Sequence, residues 1–146
     1  NKIVVENSNE IPLDSLLKNS VHGSSADIHA LASADKNTAA IMVWNYHDAD
    51  VWNEASPVTV TIKNIPAKKI LLQHYRIDKE HSNAYEAWKK MGSPQNVTDE
   101  QYQQLEQAGQ LQLFNSPEWI NVTNGAAVIH FPLPRQGVSL LRLTYP

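Results

Sequence analysis

Hydrophobic positions along this 146-residue chain recur mostly with a period of two, the period of β-strands. Asp27 to Ala34 sets Ile28, Ala30 and Ala32 against His29, Leu31 and Ser33. Asp35-Lys36-Asn37 supplies turn residues before Ala39 to Tyr46, so the two runs read as a hairpin. In the second run Ile41 and Val43 point one way, and Met42, Trp44 and Tyr46 point the other. Apolar side chains on both faces predict a strand placed centrally in its sheet. Val58 to Lys63 alternates strictly, with Val58, Val60 and Ile62 on the core face. Ile70 to Ile77, Trp119 to Thr123, Ala126 to Leu133 and Val138 to Tyr145 complete the strands, and Asn124-Gly125 predicts a tight hairpin between the second and third of these.

Between Ser82 and Gly109 the period changes to about 3.6, and two helices fit. Asn83 with Glu86 reads as the first N-terminal capping pair; Ala84, Trp88 and Met91 share a stripe, and Gly92 with Pro94 ends the helix. Thr98 with Gln101 forms a capping box for the second, Asp99 and Glu100 suit its positive end, and Gly109 stops it. Tyr102 and Leu105 are its expected buried side. Helices this short form no core alone, so they are expected to pack on the strands or on something beside them. The amino-terminal stretch offers a candidate strand at Lys2 to Val5, then a Pro-initiated helical turn from Pro12 to Leu17 with Leu13, Leu16 and Leu17 facing inward. Asn19 to Ser25 reads as a polar loop.

The fold class is therefore mainly β: an antiparallel sandwich of about eight strands with a two-helix insertion near residues 82–109. Residues 1–26 form a lead-in segment and 27–146 the sandwich. A mass of 16.4 kDa suits one domain. Net charge is -3, and Lys and Arg are scattered, so the basic footprint of a nucleic-acid binder is missing. No apolar run approaches the ~20 residues that cross a bilayer, so no membrane partner is expected. With no cysteines, thiolate metal sites, thiol nucleophiles and disulfides are excluded, and the compartment stays open. No cofactor is expected. The first residue is Asn1 rather than Met, which reads as a processed protein or a piece of a longer one.

Two segments are more specific than any periodicity. MVWNYHDADV, Met42 to Val51, and HYRIDKEHSNAYEAWKKMGSPQ, His74 to Gln95, resemble signature stretches of the carboxyl-terminal domain of glycoside hydrolase family 39 β-xylosidases. LPRQGVSLLRLTY, Leu133 to Tyr145, is similar to the end of those enzymes, and with Pro12 to Leu17 the similarity covers most of the chain in order. The resemblance implies that the chemistry lies elsewhere. In that family a (β/α)8 barrel carries a general acid/base glutamate and a nucleophilic glutamate, and both precede the region matched here. Neither carries over to a position in this chain; Asn53-Glu54 is the nearest string to the barrel's asparagine-glutamate motif and matches no family context. The implied function is that of a non-catalytic accessory domain, packed on the barrel of its own parent chain, stabilising it and shaping its cleft. The family also draws strand residues for this sandwich from the start of the full chain, which would leave an uncovered sheet edge here.

Several residues carry competing readings. His74, Asp78 and His81, with Asn83, Tyr85 and Trp88 just beyond, are the candidates for docking or for the cleft rim. The same histidines and aspartate suit a metal ion less well, and a purely structural strand-to-helix corner is the simpler reading of them. His47-Asp48-Ala49-Asp50 with Asn53 and Glu54 has alternating oxygens, as calcium loops do, but lacks the turning glycine, and solvated acids are the simpler reading. Trp52, in a polar loop beside Pro57, is the sugar-stacking candidate or an anchor on a partner. It is the basis of the alternative function, an autonomous binding module for xylan or xylo-oligosaccharides. Trp44, Trp88 and Trp119 are expected in the core or an interface. His22, His29 and His130 have no partner suggested by spacing and read as structural.

Overall fold

The computed structural model describes residues 3–8, 11–22, 26–49 and 53–145. Eleven elements follow one another: α1 (Leu13–Asn19), β1 (Asp27–Ala34), β2 (Thr38–Tyr46), β3 (Ser56–Ile62), β4 (Lys69–Ile77), α2 (Ala84–Lys90), α3 (Asp99–Ala108), β5 (Gln112–Leu113), β6 (Glu118–Asn121), β7 (Ala127–Leu133) and β8 (Val138–Thr144). The strands form two sheets, one of six in the order β1-β2-β8-β4-β5 with β6 also on β4, and one of two, β3-β7. Every named strand pair is antiparallel. This is the mainly β sandwich that the alternation predicts.

Burial along the strands follows the period of two. Ile41 and Val43 of β2, Leu141 and Leu143 of β8, and Ile70 and Leu72 of β4 turn inward from the large sheet. Val58, Ala127, Ile129, Phe131 and Leu133 meet them from the small one. Full burial of each large side chain contributes about 1.5–3 kcal/mol, so this cluster is the main source of stability. β2 lies between β1 and β8, as its two apolar faces predict, yet only one face is covered: Met42 and Tyr46 are exposed.

The helical insertion is as its caps predict. Asn83 caps α2 by accepting from the Glu86 N–H at 3.1 Å, and Thr98 and Gln101 exchange both bonds of a capping box on α3. The two helices pack chiefly on each other, and neither contains a buried residue. Tyr102, expected inside, is exposed. α1 departs further: Leu13 is 68% and Leu17 76% exposed, so of the three leucines expected to turn inward only Leu16 is even half-buried. Ile3 to Val5 take no strand conformation, and Lys2 lies outside the described residues.

The Asn124-Gly125 turn is present, with φ of 52° and 73° and Thr123 and Ala126 exchanging backbone bonds of 2.9 and 3.0 Å across it. The strands it joins do not pair, however. β6 joins β4 in the large sheet and β7 joins β3 in the small one, so the turn is a corner between layers rather than a hairpin. Turn chemistry is local, whereas each strand's partner is set by which apolar face must be covered.

Candidate functional site

Five of the six docking candidates gather where β4 ends and α2 begins. Alternation along β4 turns His74 and Arg76 inward, beside Ile70 and Leu72. His74 Nε2 lies 2.9 Å from Ser139 Oγ, which also accepts from Arg76 Nε at 3.0 Å. The guanidinium is 2% exposed, donates from Nη2 to the Pro132 carbonyl at 2.8 Å, and lies 4.1 Å from the centre of the Phe114 ring. Burial lowers its pKa, and Asp78 opposes that shift.

Asp78 holds the corner. Oδ1 accepts the backbone N–H groups of Glu80 and His81 at 2.8 and 2.9 Å and sits 2.9 Å from His81 Nδ1, while Oδ2 accepts from Arg76 Nη1 at 3.4 Å. Burial pushes its carboxyl up, but the bonds from His81 and the two backbone groups outweigh it and the pKa is lowered. Asn83 Nδ2 donates to the Asp78 carbonyl at 2.9 Å while Asn83 Oδ1 caps α2. Ser82 Oγ donates to the Arg76 carbonyl and accepts from Gln112 N–H, each at 2.8 Å, which ties the insertion's two ends together. Phe114 completes the brace, its ring centre 5.0 Å from that of His74 and 5.4 Å from that of His81.

Burial pushes the His74 pKa down to about 4, helped by the charge of Arg76. At neutral pH the imidazole is uncharged. A serine beside a histidine has the form of a nucleophile and base, but Ser139 is wholly buried, so no substrate reaches it. The corner is a structural brace by its contacts, and Tyr85 is the part of it offered outward. That ring is 62% exposed, stacks on Trp88 at 5.7 Å and is approached by Lys89 Nζ at 4.8 Å. Trp88 Nε1 donates to the Pro94 carbonyl at 3.0 Å.

The other candidates are dispersed. Asp48 accepts from Val21 N–H and from the Tyr46 hydroxyl, both at 2.7 Å; bonds from Ser20 and Tyr46 lower its pKa to about 2. It clamps the lead-in segment to β2, which is a different role from a calcium ligand. Asp50 and Trp52 lie outside the described residues, as does any geometry for the sugar-stacking reading. Among the described residues no three His, Asp or Glu side chains gather to hold a metal ion. The histidines without an expected partner have one: His29 is 2.8 Å from Asp27, His22 3.6 Å from Asp48 and His130 2.9 Å from Thr59. Trp44 and Trp88 are half-buried and Trp119 is exposed, so none of the three is a core residue. Sequence reasoning passed over Arg76, Ser139 and Phe114, although Arg76 follows His74 by two in a strand whose other inward positions are Ile70 and Leu72.

The sequence matches Glycosyl hydrolases family 39 over residues 12–116. The chain belongs to this family. Among solved structures the family 39 domain is similar to a GH39 enzyme from Xanthomonas axonopodis pv. citri (TM-score 0.69, 22% identity, covering 81% of this chain and 26% of that one). It is similar also to a monomeric beta-xylosidase from Caulobacter crescentus CB15 (0.65, 22%, 80% and 26%) and to a bacterial orthologue of human α-L-iduronidase (0.59, 15%, 83% and 22%). No curated protein matches the chain. The domain thus has the fold of about a quarter of these enzymes. With only antiparallel strand pairs among the described residues, its fold is a β-sandwich and not a (β/α)8 barrel.

Proposed function

We propose that this chain is the non-catalytic accessory domain of a retaining xylan 1,4-β-xylosidase, packed on a (β/α)8 catalytic barrel of the same polypeptide and stabilising it. The carrying observation is one of coverage: the chain aligns over four-fifths of itself with enzymes of which it spans a quarter, and it is all antiparallel. The xylosidase assignment is supported by the motifs from Met42, His74 and Leu133 and by the Caulobacter neighbour. The rigid corner at Arg76 and Asp78 suits a mount for α2, which would bring Tyr85 to the rim of the barrel's cleft. The purified chain is expected to leave an aryl β-xyloside unhydrolysed, and turnover that follows the chain through purification would overturn the reading.

The second reading, an autonomous binding module for xylan or xylo-oligosaccharides, is favoured by the exposed Tyr85 ring backed by Trp88. Affinity electrophoresis on soluble xylan separates the two: free migration supports the accessory domain, and retardation lost in Tyr85→Ala supports the module.

A further inference from the structure

The outer face of the large sheet carries an unbroken apolar row across five strands. Register places Leu31 opposite Met42, Met42 opposite Leu140, Leu140 opposite Tyr75 and Tyr75 opposite Leu113. Trp44, Val138 and Ile77 lie side by side in the row two residues along. Leu31, Met42, Ile77 and Leu113 are all exposed. On the other side Ser33, Ala40, Arg142 and Gln73 make a more polar margin, with Arg142 Nη1 3.5 Å from Gln73 Oε1. An apolar centre with a polar rim is the anatomy of an interface.

We infer that this face is the surface on which the domain meets its catalytic partner, a folded domain of the same polypeptide. The inference rests on the accessory-domain reading and names the surface that reading requires. The apolar row spans five strands, the row beyond it three and the polar margin four; at ~4.8 Å between strands and ~6.7 Å between like-facing residues these positions cover about 390 Å². Counted on both partners that is about 770 Å², well short of the roughly 1,600 Å² of a stable separate complex and above the roughly 600 Å² at which interfaces between linked domains begin. A tether raises the effective concentration to about millimolar, so a face of this size suffices in one polypeptide where it would not hold a second copy. Position agrees. Asn7 Nδ2 donates to the Ile28 carbonyl and lies 3.5 Å from His29 Nδ1, so the amino-terminal segment reaches this sheet at its β1 side. A domain preceding that segment is delivered to the margin of the apolar face.

The chain has two methionines: Met42 lies within the face and Met91 at the end of α2. Peroxide oxidation followed by peptide mass spectrometry reads each separately. In the isolated chain both sulfurs are expected to oxidise. In the longer polypeptide that carries this chain beside its catalytic domain, Met42 is expected to oxidise about tenfold more slowly, a change greater than that at Met91. Leu31→Lys, at the 62% exposed position opposite Met42, is expected to restore Met42 oxidation there while leaving the melting temperature of the isolated chain unchanged. Full-rate Met42 oxidation in a polypeptide whose two domains still unfold together overturns the face and leaves the accessory-domain reading standing. If the domains unfold independently, both fall. Protection of Met42 that appears in the isolated chain on raising its concentration assigns the face to a second copy and overturns the inference.

Discussion

The Ser139 hydroxyl stands 2.9 Å from His74 Nε2 and 3.0 Å from Arg76 Nε. The guanidinium can only donate, so Oγ accepts from Arg76, and its remaining lone pair and its own proton suit either neutral tautomer of His74. The imidazole titrates near 6.5 when unfolded and about 4 when folded. Its folded pKa is depressed, so added protons favour the unfolded chain. Stability is predicted to fall as pH drops from about 6.5 to about 4, by about 3 kcal/mol at the acid end. His74→Gln is expected to flatten that part of a stability-versus-pH curve measured by urea denaturation. Further loss below pH 3.8 belongs to carboxylates with lowered pKa values, Asp48 and Asp78.

Asp78→Ala removes the carboxylate facing a buried guanidinium as well as the acceptor for two backbone N–H groups. Leaving one partner of a buried pair uncompensated costs about 3–5 kcal/mol. Asp78→Asn retains an acceptor oxygen and loses the charge, so its cost is expected to be smaller. Urea titrations of both variants check the order.

Thr98→Ala is expected to act locally. Loss of an N-cap costs about 1 kcal/mol, and α3 packs chiefly on α2. Hydrogen exchange should speed up at the Gln101 amide and along α3, while the amides of β2, β4 and β8 keep their protection.

Leu141→Ala and Leu13→Ala compare two leucines of opposite surroundings. Leu141 is wholly buried between the sheets, and truncation there is predicted to cost about 2–5 kcal/mol. Leu13 faces solvent in this chain, and its loss should change stability by less than about 0.5 kcal/mol. Thermal melts of the two variants give the contrast directly.

Local chemistry was legible in the sequence. The Thr98 and Asn83 caps, the Asn124-Gly125 turn and the core face of β3 depend on residues close together in the chain, and all are present. Non-local relations were not legible. Nothing near Asn124 says that β6 and β7 belong to different layers, and an apolar stripe at Leu13 and Leu17 tells which face seeks cover without telling what covers it. At the site, His74, Asp78, His81 and Asn83 were named because titratable and amide groups draw the eye. Arg76 was missed because its charge argues for the surface, although strand alternation puts it inside; only contacts supplied from far along the chain, at Ser139, Pro132 and Phe114, make that position tolerable.

β8 is the last strand in chain order, yet it occupies the middle of the large sheet, between β2 and β4. Residues 138–144 must therefore be synthesised before the strands made some sixty to one hundred residues earlier can be joined into one layer. Until then the β1-β2 hairpin and β4 each present an open edge and an uncovered apolar face to the cell. Loss of residues 138–144 would remove more than one strand: it would leave the large sheet as two separate pieces, β1-β2 on one side and β4 with β5 and β6 on the other.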